Sequence, residues 1–167
     1  LLCLLLSVGQ LTATLLFRAH PRDHAYRDGR YDKLLTECPL EFLDVSTAPD
    51  VVDLYCASDL VVTQFSSAGV EASYLGIPAV FVLFDDLGKT FLRLFKGYDM
   101  LPWCRDECAY LIEREDDVKG TLEMALFNEC SRKKILTNFR NRFQRRPSST
   151  TAIANHIRSV ITYNHSM

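Results

Sequence analysis

Short runs of β-branched and other apolar residues alternate with helix-period segments through the first two-thirds of this chain, and that alternation limits the fold more than any other feature. A chain patterned in this way builds βαβ units around a parallel sheet. The runs read as strands at Thr14–Arg18 (TLLFR), Leu40–Val45 (LEFLDV), Leu60–Thr63 (LVVT) and Ala79–Phe84 (AVFVLF), with a weaker fifth at Ala109–Ile112. Continuous apolar runs of this kind suit strands that are covered on both faces.

The segments between the strands carry their own start and stop signals. Val51, Val52, Leu54 and Tyr55 follow one another at helical spacing behind Asp50, a good N-cap, which predicts a helix within Ala48–Ser58. A second helix is expected over Ser67–Leu75, ended by Gly76 as a left-handed C-cap and by Pro78. From Asp116 to Tyr163 the pattern turns helical, broken at Pro147, and Arg140, Arg142, Arg145 and Arg146 read as a solvated basic face rather than an anion patch. The expected fold class is α/β: a Rossmann-like parallel sheet with flanking helices and a helical C-terminal segment.

The chain has 167 residues, 48% apolar and 24% charged, which suits one ordinary folded domain. A formal net charge of -2 gives no reason to expect nucleic acid or an anionic membrane as partner, so any anion site is local. The opening LLCLLLSVGQLTA is too short to span a bilayer and reads as a buried helix. It has no initiator Met, which leaves truncation upstream open. Cys3, Cys38, Cys56, Cys104, Cys108 and Cys130 are scattered, and the Cys38 and Cys56 segments read as core or near-core elements rather than as a disulfide framework. A reducing, cytoplasmic compartment fits that distribution. Cys104 and Cys108 lie four apart with no second pair at zinc-ligand spacing, His24 has no Asp or Glu at an obvious ligand distance, and His156 and His165 belong to the C-terminal tail, so no metal is expected.

Chemistry concentrates in Ser58–Phe84, SDLVVTQFSSAGVEASYLGIPAVFVLF, which reads strand, Ser-Ser-Ala-Gly turn, helix, Gly-x-Pro, strand. A helix that starts straight after a parallel strand aims its free N–H groups at the sheet's C-terminal edge, where phosphate binds. Ser66 and Ser67 add hydroxyls there, and Gly69 permits close approach of a ligand. The competing reading is that one serine merely caps the helix. Glu71, in the first turns, is either a surface carboxylate or a ribose contact.

The second cluster is Phe17–Asp23, FRAHPRD, where Pro21 stops the first strand and leaves His20 on its C-terminal edge. His20 can donate to a phosphate oxygen or act as an acid, with Arg22 assisting as a forked donor. Alternatively His20 simply satisfies a carbonyl at a strand end. Two polar clusters on C-terminal strand edges of one predicted sheet favour a shared crevice. No G-x-S-x-G elbow, Walker lysine loop, G-x-G-x-x-G or H-E-x-x-H occurs, which disfavours hydrolase, P-loop and dehydrogenase chemistry.

HPRD followed downstream by SDLVVTQFSSAGVEASYLGIP resembles the C-terminal domains of GT-B glycosyltransferases over about His20 to Leu87. The nearest patterns are the poly(glycerol phosphate) and capsule-polymer transferases, with a His-Pro motif and an Asp-Tyr-Ser-Ser segment, and the UDP-N-acetylglucosamine 2-epimerases. The transferase resemblance implies that His20, Ser66 and Ser67 contact donor phosphate, with Gln64 in place of the acidic residue. The epimerase resemblance implies a ribose contact at Glu71, with Val70 replacing the first of the paired glutamates. Glu71, Ala72, Leu75, Gly76 and Pro78 fit the E-A-x-x-L-G-x-P portion common to many GT-B members.

These resemblances imply a nucleotide-sugar-binding domain, taking a nucleotide diphosphate or CMP donor, of a transferase in surface polysaccharide or glycan synthesis. His20 is then the catalytic candidate; His20, Arg22, Ser66, Ser67 and Gly69 hold phosphate and Glu71 the ribose. The donor is substrate, no cofactor is expected, and the partners are a glycan or polymer acceptor and an N-terminal GT-B domain or a second copy of the chain. A nucleotide-sugar 2-epimerase domain and a non-catalytic GT-B-like binding module are the alternatives.

Overall fold

The computed structural model describes residues 13–37, 41–48, 50–83, 86–97, 99–144, 151 and 153–155. The opening apolar run, Cys38, Leu40, Phe84, Pro147, His156 and His165 therefore lie outside the described residues, and so does the expected N-terminal helix. The elements follow in the order β1 (Thr14–Phe17), α1 (His24–Arg27), α2 (Asp32–Thr36), β2 (Glu41–Asp44), α3 (Val51–Cys56), β3 (Val61–Thr63), α4 (Ala68–Tyr74) and β4 (Ala79–Val82). After these come α5 (Asp86–Lys96), β5 (Tyr110–Ile112), α6 (Val118–Phe127) and α7 (Glu129–Arg142). The fold is α/β, with parallel strands flanked by helices and a helical C-terminal part, as the alternation predicts.

All five expected strands form, each trimmed by a residue or more. The hydrogen-bond ladders, however, divide them: β1 pairs with β2, and β3, β4 and β5 pair in that order, every pair parallel. The single sheet of the sequence reading is thus two parallel ribbons. What ties β1 to the larger ribbon is apolar packing, since Leu15 lies against the core formed by β4, β5 and the last helices.

Strand β4 is the centre of that core, buried at every residue. Side chains alternate along a strand, so Val80 and Val82 meet Ile112, Val118, Leu122, Ala125 and Ile135 on one face. Ala79, Phe81 and Leu83 meet Leu92, Leu101 and Ala109 on the other. Both faces are covered, which is why the run is continuously apolar.

The caps follow the sequence reading closely. Asp50 accepts from Val52 N at 2.8 Å at the start of α3. Gly76 adopts φ 88 after α4, the left-handed geometry that glycine tolerates best. Within the expected helical C-terminal segment α6 and α7 are separated at Asn128, which turns extended (ψ 93) and caps α7 by accepting from Ser131 N at 2.9 Å. Cys56 itself is exposed, while Tyr55 beside it is the buried residue of α3.

One face of α7 grips the connection into β5. Asp106 and Glu107 have φ of 58 and 53, a conformation that non-glycine residues hold only when neighbours enforce it. Asn138 Nδ2 donates to both their carbonyls, at 3.2 and 3.3 Å. Lys134 pairs with Glu107 at 2.6 Å and Arg142 with Asp106 at 3.5 Å. Arg142 thus has an ion-pair partner within the fold rather than a purely solvated role, and Arg145 and Arg146 lie outside the described residues.

Candidate functional site

Ser66 and Ser67 lie in the turn between β3 and α4, and Gly69 and Glu71 follow in the first turn of α4. Ser66 Oγ accepts from Ala68 N at 3.1 Å, so this serine caps the first free N–H of the helix. Ser67 has helical φ and ψ and makes no side-chain cap bond. Its hydroxyl instead donates to Glu71 Oε1 at 2.7 Å, and Tyr55 Oη donates to Glu71 Oε2 at 3.3 Å. The pairing of α3 with α4 through Tyr55 was missed in the sequence, where Tyr55 reads only as an apolar helix position.

Gly69 is buried, and a Cβ built on it would lie 2.5 Å from Phe81 Cζ. Packing against the neighbouring strand is therefore reason enough for a glycine at this position.

His20 and Arg22 sit on a second turn, at the C-terminal end of β1. The His20 carbonyl accepts from Asp23 N at 2.8 Å and its Nδ1 accepts from Arg22 N at 3.1 Å. An imidazole that accepts at Nδ1 carries its proton on Nε2 when neutral. His20 is exposed, so that Nε2–H faces outward as a donor. Arg22 contributes its backbone to the turn and its side chain is exposed.

A carboxylate framework stiffens this turn. Asp23 caps α1 by accepting from Tyr26 N at 3.2 Å and also accepts from Tyr31 Oη at 3.0 Å. Tyr26 Oη donates to Asp44 Oδ2 at 2.6 Å, and Ser46 N donates to Asp44 Oδ1 at 2.9 Å. Burial pushes the Asp44 carboxyl up, but the hydrogen bonds from Ser46 and Tyr26 outweigh it and hold the group below its usual range.

Arg18 is the residue just after β1. Its Nη1 donates to Ala48 O at 2.9 Å, and its positive charge acts on Tyr55. Burial, and then the neighbouring Glu71 carboxylate, push the Tyr55 phenol up to about 12, while Arg18 opposes them. The sign follows from the raised value. The protonated phenol's contribution to stability is complete below about pH 10 and is lost as the pH climbs toward about 12. Glu71→Gln should bring the Tyr55 titration down, followed by ring-carbon NMR; an unmoved titration would mean that burial acts alone.

Among the described residues no group of three or more His, Cys, Asp and Glu side chains could hold an ion. Burial, with help from Cys108 and Glu113, pushes the Cys104 thiol up to about 12, so this cysteine is a poor nucleophile. Among the described residues no helix is long and apolar enough to cross a membrane. A shallow depression at the α6–α7 corner, lined by Met124, Phe127 and Cys130 among others, is built from elements separate from both polar turns.

Residues 9–89 match the model of the CDP-Glycerol:Poly(glycerophosphate) glycerophosphotransferase family. The matched span, just under half the chain, includes β1 to β4 and therefore both the His20 turn and the Ser66–Glu71 turn. It supports a glycosyltransferase-like domain. No curated protein and no solved structure gave a significant match.

Proposed function

We propose that this chain binds the donor of a glycerophosphate-type transfer, a glycerol or sugar linked through a cytidine diphosphate or related nucleotide, and delivers it to a growing surface polymer. The observation that carries the reading is the family match, which spans both polar turns at the ends of β1 and β3. Nothing in that match favours the epimerase or the non-catalytic alternative.

In this reading an acceptor hydroxyl attacks the distal phosphorus of the donor and gives up its proton to solvent, the bond from that phosphorus to the bridging oxygen breaks, and a nucleoside monophosphate leaves with the electron pair of that bond. Charge develops on the leaving phosphate, and donors already aimed at it lower the barrier. His20 Nε2–H, oriented by the bond that Nδ1 accepts, is the candidate to stabilise or protonate that phosphate. Ser66 and Ser67, with the Gly69 backbone, are candidates to hold the diphosphate, Arg22 adds a mobile cation, and Glu71 is the candidate ribose contact. The acceptor polymer and a partner N-terminal domain, or a second copy, complete the proposal.

A thermal-shift titration with CDP, CMP, UDP and GDP tests it, because a ligand that binds only the folded state raises the melting temperature. The expected result is a shift with the cytidine nucleotides that vanishes in Ser66→Ala/Ser67→Ala and in His20→Ala. No shift with any nucleotide, or one that survives both variants, sinks the reading.

A further inference from the structure

Tyr55 has no part in the reading above, yet it is 5% exposed and its hydroxyl reaches Glu71 Oε2 at 3.3 Å. Glu71 is itself exposed. A surface glutamate ordinarily samples several rotamers, and ordering it on binding costs free energy. Here both carboxylate oxygens are occupied, Oε1 by the Ser67 hydroxyl at 2.7 Å and Oε2 by Tyr55. Of the two donors Tyr55 is the rigid one, since its buried ring fixes where its oxygen lies, whereas a serine hydroxyl turns about a single bond. Arg18, fixed by the Ala48 carbonyl at 2.9 Å, brings its charge to Tyr55.

We propose that Tyr55 is a positioning residue that holds the Glu71 carboxylate in one orientation for the hydroxyls of a bound ribose. The inference rests on the donor-binding reading of the Ser66–Glu71 turn. A ribose diol that takes over Oε1 releases the Ser67 hydroxyl, which becomes free to donate to a phosphate oxygen. Tyr55 keeps Oε2 throughout, so the carboxylate does not follow the departing serine. One glutamate thereby couples recognition of the sugar end of a nucleotide to recognition of its phosphate end.

The test is calorimetric titration of the full chain and its variants with CDP, which carries a ribose, and with inorganic pyrophosphate, which does not. Tyr55→Phe removes one hydroxyl and keeps the ring. It should lower CDP affinity on the order of tenfold, the size of one lost hydrogen bond to a charged group, and leave pyrophosphate affinity unchanged. In a Glu71→Gln background the same substitution should have no further effect. Glu71→Asp, which keeps the charge but withdraws it from Tyr55, should show the same ribose-selective loss, and it covers the case in which Tyr55→Phe folds poorly. Equal weakening of both ligands, unchanged CDP affinity in both variants, or losses that add across Tyr55→Phe and Glu71→Gln would overturn the proposal. A wild-type chain that binds no CDP removes the donor-binding reading itself, a result distinct from a binding wild type that tolerates Tyr55→Phe.

Discussion

Phe139→Ala should destabilise the fold by about 3–5 kcal/mol, the range for emptying a buried aromatic site. Phe139 is 1% exposed and packs its ring against two others, of which only Tyr74 lies outside α7 and its C-cap. It meets Tyr74, at the end of α4, edge-on with centroids 5.0 Å apart, and Phe143 at 5.1 Å. A smaller side chain leaves a void between two helices that are also tied elsewhere, so the gap cannot easily close. Urea unfolding is the measurement, and the midpoint should fall with an unchanged slope. A loss under about 1 kcal/mol would mean that the polar grip of Lys134, Asn138 and Arg142, rather than the aromatic contact, docks α7.

Gly69→Ala is the second large expectation, and here two effects oppose each other. Alanine is the better helix former by about 1 kcal/mol. Against that, its methyl would sit 2.5 Å from Phe81 Cζ, inside any real contact distance. Phe81 is 1% exposed and leans on Trp103 with centroids 5.6 Å apart, so its ring has little room to swing away. Overpacking of this kind costs about 1–3 kcal/mol and more when the ring is trapped, so a net loss is expected. Phe81→Leu in the same chain should recover part of it, because the two sites touch and their effects do not add. Net stabilisation by Gly69→Ala would show that the ring is free to move.

Those two residues also mark where the sequence was legible and where it was not. Local patterns were readable: apolar runs became strands, Asp50 capped α3, and Gly76 ended α4, because each depends on near neighbours in the chain. The Ser67–Glu71 bond joins residues four apart and lay within reach of the same reasoning. Gly69 did not yield its packing role, because its neighbour Phe81 belongs to the next strand. Tyr55 looked like a core position and is one, but its hydroxyl has a partner only because α3 lies against α4. The split into two ladders is likewise non-local, since strands of three or four residues carry no sequence record of which neighbour they bond. Helix α5 went unread because the apolar run of β4 leads almost directly into it.

The family likeness ends at residue 89, whereas β4 is covered on both faces by residues beyond that point. Ile112, Val118, Leu122, Ala125 and Ile135 close one side, and Leu92, Leu101 and Ala109 the other. The border of the resemblance therefore cuts through the hydrophobic interior instead of following a seam between folding units. A fragment stopped at that border would turn Val80, Phe81 and Val82 out to water. Whatever binds at the two polar turns thus stands on a strand whose cover comes from the other half of the chain.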